Sequence, residues 1–224
     1  MGSYTWGHAL GNAVSGPEFE ETFPYRDYHN WRADYGNTKY DVRQILSLSG
    51  VYELPFGRGK RFASGLNPVV NQVIGGWKVG GIASFNSGQY LTPDDVVDVA
   101  NTGGGSRPDT IAGCNPNHQS HPNRTAAVNE WFDTSCFQRA ALYTYGNTST
   151  GSIKGPGLMN FDLSAYKQFA LAEDKRLEFR AEFFNAFNRP NFGNPGVDFG
   201  TGDFGVISSS LPGREIQFGL RLEF

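Results

Sequence analysis

The last eleven residues of the chain, 214–224, read REIQFGLRLEF. Apolar side chains occupy every second position, and only polar residues or glycine stand between them. A period of two predicts a β-strand with one apolar and one polar face, because successive side chains of a strand point to opposite sides. The apolar positions are Ile216, Phe218, Leu220, Leu222 and Phe224.

A second strand of the same kind lies upstream, where Leu177, Phe179, Ala181 and Phe183 alternate with charged residues of alternating sign. Alternation of this kind allows opposite charges to pair between neighbouring strands on the polar face. If the two strands belong to a barrel wall, their polar residues face its lumen. The predicted lumen-facing residues are Arg176, Glu178, Arg180, Glu182, Arg221 and Glu223.

Weaker versions of the pattern recur along the chain and predict an all-β protein, an antiparallel meander of about six long strands. The strands are predicted at about 3–10, 40–54, 77–90, 159–169, 175–187 and 214–224. Each is near the ten or so residues that a tilted membrane-spanning strand needs. We therefore treat residues 1–224 as one unit, a partial β-barrel.

The connections between the predicted strands alternate in length. Residues 11–39, 91–158 and 188–213 form the long set, and the turns between them are shorter. In a meander, alternate connections emerge at the same end, so all three long loops are predicted on one side. Long extracellular loops opposite short periplasmic turns are typical of outer-membrane barrels.

The composition agrees with many short strands joined by turns. The chain of 224 residues has 29 Gly, 12 Pro and 14% aromatic residues, which disfavours a helical bundle. A formal net charge of −3 argues against nucleic acid as a partner. No apolar run approaches 18 residues, and the first residues, MGSYTW, predict no secretory signal.

Aromatic residues near the short-turn end of the predicted strands fit an interfacial girdle. Tyr52, Trp77, Phe169 and Phe224 occupy such positions. The alternative is that these rings form the core of a soluble secreted β-sandwich, a module that binds carbohydrate or protein. That alternative predicts a second sheet packed against the apolar face.

Two cysteines, Cys114 and Cys136, lie in the longest loop among polar residues. A disulfide is one interpretation, and two free thiols or a zinc site with His118 and His121 are the others. A bridge would stabilise the loop by roughly 3 kcal/mol in the chain-entropy estimate. Such a contribution suits an exposed loop that has no core of its own.

The search for chemistry finds no catalytic constellation, and the chain is not expected to be an enzyme or to need a cofactor or metal. Residues 57–60 (GRGK) lack the phosphate-loop spacing and are predicted to be a basic turn. Asp94, Asp95 and Asp98 are interpreted as a solvated acidic loop, with a calcium site as the alternative. A hydrolase using Glu18, Glu20 or Glu21 is the weakest hypothesis.

Several stretches resemble the late barrel strands of TonB-dependent receptors of the Oar-like type, and the resemblance covers nearly the whole chain. The string 182–188 (EFFNAFN) is fairly specific. The others are 41–43 (DVR), 51–60 (VYELPFGRGK), 75–82 (GGWKVGGI), 155–158 (GPGL), 161–164 (FDLS) and the terminal 216–224.

The resemblance implies the C-terminal barrel segment of a TonB-dependent transporter in the bacterial outer membrane. Its implied partners are outer-membrane lipid, the remaining barrel strands and plug, the barrel-assembly machinery and, indirectly, the TonB system. The terminal alternation ending at Phe224 would be the assembly signal. Trp131 and Phe132, in the longest loop, are the candidates for ligand contact.

Overall fold

The computed structural model describes residues 1–12, 26–27, 29–103, 106–118, 120–172 and 174–224. Glu18, Glu20 and Glu21 of the hydrolase hypothesis lie outside them. Within the described residues, no helix is long and apolar enough to cross a membrane. The helices are α1 (Pro68–Ile74) and α2 (Arg124–Asn129), with 3₁₀ turns at Trp31–Asp34 and Thr134–Cys136.

Strands dominate the described residues. They are β1 (Gly2–Trp6), β2 (Leu10–Gly11), β3 (Gly36–Asn37), β4 (Gln44–Glu53), β5 (Trp77–Asn86), β6 (Tyr90–Leu91), β7 (Asp94–Asp95), β8 (Asp109–Thr110), β9 (Phe137–Gln138), β10 (Ile153–Lys154), β11 (Leu158–Ala170), β12 (Arg176–Phe184), β13 (Asp198–Phe199) and β14 (Glu215–Glu223).

The six longer strands form one sheet in the order β1-β4-β5-β11-β12-β14. Every neighbouring pair is antiparallel and consecutive along the chain among these six strands. This confirms the prediction of an all-β antiparallel meander. The sheet is open, because β1 and β14 each pair with one strand only within the described residues.

The register sorts side chains by polarity across the whole sheet. One row runs Tyr52, Val79, Ala165, Ala181 and Phe218 across five strands, all on one face. The neighbouring row on the opposite face contains charged, polar and aromatic side chains: Glu53, Lys78, Tyr166 and Arg180. The single-strand alternation seen in the sequence is therefore coherent over the sheet.

One charged side chain breaks the polarity of the apolar face. Lys167 lies between Trp77 of β5 and Phe179 of β12 in the register. It is only 3% exposed, and its Nζ donates hydrogen bonds to the carbonyl oxygens of Val73 (3.0 Å) and Gly75. The ammonium thus leaves the apolar face toward the C-terminal end of α1.

The strands end where local backbone geometry turns the chain. The structure ends β12 at Phe184, earlier than the predicted 187, because Asn185 adopts a left-handed φ of 46°. The Asn185 side chain accepts a hydrogen bond from the backbone N–H of Arg189 and donates one to its C=O. The turn also brings Phe187 against Phe161, with ring centroids 5.1 Å apart. The EFFNAFN string therefore contains the end of β12 and the turn that follows it.

The other bounds shift for similar reasons. The chain leaves the sheet after Trp6 and after Asn86, not near 10 and 90 as the alternation predicts. Leu10–Gly11 and Tyr90–Leu91 pair instead with short strands inside the loops. Gly88 then passes so close to the Gly155 carbonyl that any Cβ at this position would overlap it.

Candidate functional site: the loop domain and the polar face

The three long connections fold together at one end of the sheet. We call the described residues of 7–43, 87–157 and 185–214 the loop domain. Its core contains the buried Phe132, Cys136, Phe137 and Ile153. Phe204, from the third connection, packs edge-on against Phe132 with ring centroids 5.0 Å apart. The expectation that the cysteine-bearing loop lacks a core is therefore wrong.

A disulfide joins Cys114 to Cys136, with Cα atoms 5.4 Å apart and an S–S distance of 2.01 Å. Both sulfurs are consumed by this bond, which leaves no thiolate for a zinc ion. The Asp133 carboxylate lies beside them, within 4.8 Å of both sulfurs. His121 stacks on Trp131 instead of approaching the sulfurs.

A buried ion pair connects the first long connection to the second. Arg107 Nη2 lies 2.7 Å from Asp34 Oδ1, and both side chains are almost fully buried. Arg107 also donates to Thr150 Oγ1 at 2.9 Å, and the backbone N–H of Arg26 donates to Asp34 Oδ2 at 3.1 Å. Burial lowers the pKa of Arg107, while the Asp34 carboxylate opposes that shift.

The interpretation of the acidic cluster as a solvated loop fits Asp98, which is exposed, and is wrong for Asp95, which is buried. Asp95 is buried and accepts two hydrogen bonds from Arg139, at 3.0 and 3.1 Å. Asp98 accepts from the backbone N–H groups of Asn101, Thr102 and Gly103. These bonds account for both carboxylates without a calcium ion.

Asp94 couples the second connection to the third. It lies opposite Asp198 in the short parallel pairing of β7 and β13. Burial raises the pKa of the Asp94 carboxyl to about 6, and the neighbouring Asp198 acts in the same direction, as does Asp95, while Arg107 opposes them. The pairing therefore places two carboxyl groups side by side. One of them, Asp94, is protonated in mildly acidic solution.

The two candidates for ligand contact have different surroundings. Phe132 is 1% exposed and sits in the core, so the prediction that it contacts a ligand is wrong. Trp131 is half-buried, and its indole N–H donates to the Lys154 carbonyl at 2.8 Å. The pattern of two adjacent aromatics could not reveal which of them points inward.

A more accessible aromatic pair lies in the first connection. Trp31 and Tyr35 are well exposed and line a cleft of about 500 Å³ together with Arg32 and Asn12. The 3₁₀ turn Trp31–Asp34 presents these residues, and its buried Asp34 is fixed by Arg107. Sequence reasoning missed this site, although the WRADY string itself was the available signal.

The six charged residues predicted to face the lumen all lie on one face of β12 and β14. In the pairing of β12 with β14, Arg176 lies opposite Glu223 and Glu178 lies opposite Arg221. Arg180 pairs with Glu178 along the same strand at 3.0 Å. A cleft of about 610 Å³ on this face is lined by Lys78, Tyr166, Gln168, Glu178, Arg180 and Glu182.

The terminal strand lies at the edge of the sheet. Its apolar side chains are exposed on the apolar face: Ile216, Phe218, Leu220 and Leu222, followed by Phe224 after the strand. An exposed apolar edge strand is an aggregation hazard in water unless something covers it. A surrounding bilayer and a neighbouring strand would together remove that hazard.

The geometry is a six-stranded meander with one apolar face, one polar face and a folded loop domain at one end. A model of the family described as "Outer membrane beta barrel domain" matches residues 1–217. None of the curated proteins and none of the solved structures matches the chain. The chain belongs to the outer membrane beta barrel domain family, and its location is the bacterial outer membrane.

Proposed function

We propose that the chain is the C-terminal barrel segment of a TonB-dependent outer-membrane transporter or receptor. It contributes barrel wall and extracellular loops that contact the ligand, and it has no catalytic role. The observation that carries the proposal is the asymmetry of the sheet, with a folded loop domain at one end and the shorter connections, 54–76 and 171–175, at the other. That asymmetry suits capture of a solute outside the cell and its passage along a polar wall.

The open edges support further strands as partners. β1 and β14 each have one partner in the described residues, and six strands are fewer than the eight of the smallest barrels. The remaining strands and a plug would complete the wall and fill its lumen. The soluble sandwich is not favoured, because no second sheet of the described residues packs against the apolar face.

The ligand would first meet the loop domain and then the polar face. Trp31 and Tyr35 offer flat apolar surfaces with Arg32 beside them, which suits a ligand with both rings and negative charge. On the polar face of the sheet, ion pairs form along each strand, between Arg180 and Glu178 in β12 and between Arg221 and Glu223 in β14. Paired charges present a polar but nearly neutral wall along which a solute moves without tight binding.

Uptake by living cells tests the proposal. The gene that encodes the chain is deleted in its own bacterium, and accumulation of a panel of radiolabelled nutrients is compared with that in a strain lacking TonB. We expect both strains to lose uptake of the same nutrient. A nutrient whose uptake needs this gene but not TonB would contradict the proposal.

The ligand site is tested in the same cells. We expect W31A/Y35A in the complemented strain to lower the apparent affinity for that nutrient about tenfold or more, because two exposed rings lose their contacts. Trp6, an exposed tryptophan of β1 on the apolar face, provides the control W6A. Equal effects of both substitutions would place the ligand elsewhere.

A further inference from the structure

The connection between β4 and β5, residues 54–76, is a folded unit, which we call the foot. Asn67 caps the start of α1 through a 2.8 Å bond to the N–H of Val70. Asn71 Oδ1 accepts from the backbone N–H of Arg58 at 2.6 Å, which ties the basic turn to the helix. Gly57, with a φ of +117°, packs directly against Gly75. The basic turn and the helix therefore share one fixed arrangement.

The foot is attached to the apolar face of the sheet, at the end opposite the loop domain. Trp77, at the start of β5, donates from its indole N–H to the Val73 carbonyl at 2.9 Å. Lys167 reaches the Val73 and Gly75 carbonyls from the same apolar face. These bonds satisfy carbonyls at the C-terminal end of α1 that the helix itself leaves without partners. The helix is thereby fixed to this end of the sheet.

The outer side of the foot is apolar. Val69 and Val73 of α1 are 75% and 64% exposed, and Ile74 beside them is also exposed. Exposing valine and isoleucine side chains to water is unfavourable, whereas burying them among acyl chains is favourable. These exposed apolar side chains lie just before Trp77, the first residue of β5.

The foot also carries unneutralised positive charge. Arg58 and Arg61 are exposed, and neither forms an ion pair within the described part of the chain. Lys60, between them, pairs with Glu53 at 3.0 Å. The guanidinium of Arg61 lies over the Phe62 ring, 5.5 Å from its centre. Two arginines and a set of exposed apolar side chains therefore lie on one short connection.

We propose that the foot is a lipid-binding site that lies in the headgroup region of the inner leaflet of the outer membrane and binds anionic phospholipid. Short connections of such barrels face the periplasm, which places the foot at that leaflet. Apolar side chains beside basic residues match the boundary between acyl chains and phosphate groups. Arginine contacts phosphate with two parallel hydrogen bonds, so Arg58 and Arg61 each suit a lipid phosphate.

Vesicle binding by the full chain tests the proposal. Vesicles of phosphatidylcholine alone are compared with vesicles containing 30 mol% phosphatidylglycerol, and bound protein is measured by flotation over a lipid titration at 50 mM salt. Two arginines near an anionic surface are expected to give a preference of about thirtyfold for the anionic vesicles. The preference is expected to shrink in 500 mM salt.

Variants separate the foot from the rest of the molecule. R58Q/R61Q should lose most of the preference, and R58K/R61K should keep most of it. The control R124Q/R189Q, which removes two exposed arginines of the loop domain, should keep all of it. Circular dichroism checks that each variant retains the β-sheet. An R58Q/R61Q protein with the unchanged preference, or a chain that binds both vesicles equally, would overturn the proposal.

The assay involves no nutrient and no TonB, so its outcome is independent of the transporter proposal. A second variant, V69D/V73D, tests the apolar contribution. It should weaken binding to both kinds of vesicle at least tenfold, because it places two carboxylates at the acyl-chain boundary. Undiminished binding by V69D/V73D would show that α1 stays in water and would also overturn the proposal.

Discussion

Removing Arg107 should open the loop domain while leaving the sheet intact. The substitution R107M keeps the length of the side chain and deletes its charge, so the buried Asp34 carboxylate loses its 2.7 Å partner. Breaking a buried pair by removing one member typically costs about 3–5 kcal/mol. The lower end applies here, because the N–H of Arg26 still donates to Asp34.

A loss of about 3 kcal/mol corresponds to roughly a hundredfold increase in the opening equilibrium of the loop domain. Amide hydrogen exchange measures this quantity for each segment separately, as local opening free energies differ along a chain. We expect lower protection around β8 and the facing residues 147–150, with unchanged protection in β11 and β12. The double variant D34L/R107M should recover much of the protection, because no unpaired charge is left in it.

The control is R124M, which removes an exposed arginine of the same domain and should change protection by no more than twofold. The reasoning is refuted if R107M and R124M give the same exchange pattern. It is also refuted if R107M lowers protection in the sheet as much as in the loop domain, since the domain would then have no stability of its own.

Three further outcomes are expected. Replacing both cysteines (C114S/C136S) should destabilise the loop domain by roughly 3 kcal/mol, seen as faster protease cleavage near residue 120 than in the disulfide-bonded protein. Because the pKa of Asp94 is raised to about 6 in the fold from 3.8, its protonated form is favoured, so the β7–β13 pairing should weaken as the pH rises from about 4 through 6. Protection factors there should fall about tenfold, and D94N should abolish that dependence. Finally, F224D should reduce the folded, heat-modifiable form in outer membranes several-fold, whereas wild-type levels would contradict an assembly signal that ends in Phe224.

The sheet could be predicted from the sequence because its determinants are local. Alternation within β12 and β14 is visible in a window of nine residues, and neighbouring strands follow one another along the chain. Lys167 breaks the alternation in β11, yet it occupies the apolar face because its ammonium finds carbonyls just beyond the strands. Such an exception depends on the foot and cannot be inferred from β11 alone.

The loop domain could not be predicted because its contacts join distant segments. Asp34 and Arg107 are 73 positions apart, and nothing in either neighbourhood marks them as partners. Phe132 and Trp131 are adjacent aromatics of similar character, and only the folded core distinguishes the buried ring from the more accessible one. The burial of Asp95 could not be predicted for the same reason, since its partner Arg139 lies 44 residues further along the chain.

Buried contacts join the three long connections into one unit. Asp34 with Arg107 fastens the first to the second, and Phe132 with Phe204 fastens the second to the third. A solute that displaces any one of them must therefore carry the other two along or break buried contacts. We therefore expect the three connections to move together, so that a substitution in one of them alters the accessibility of all three.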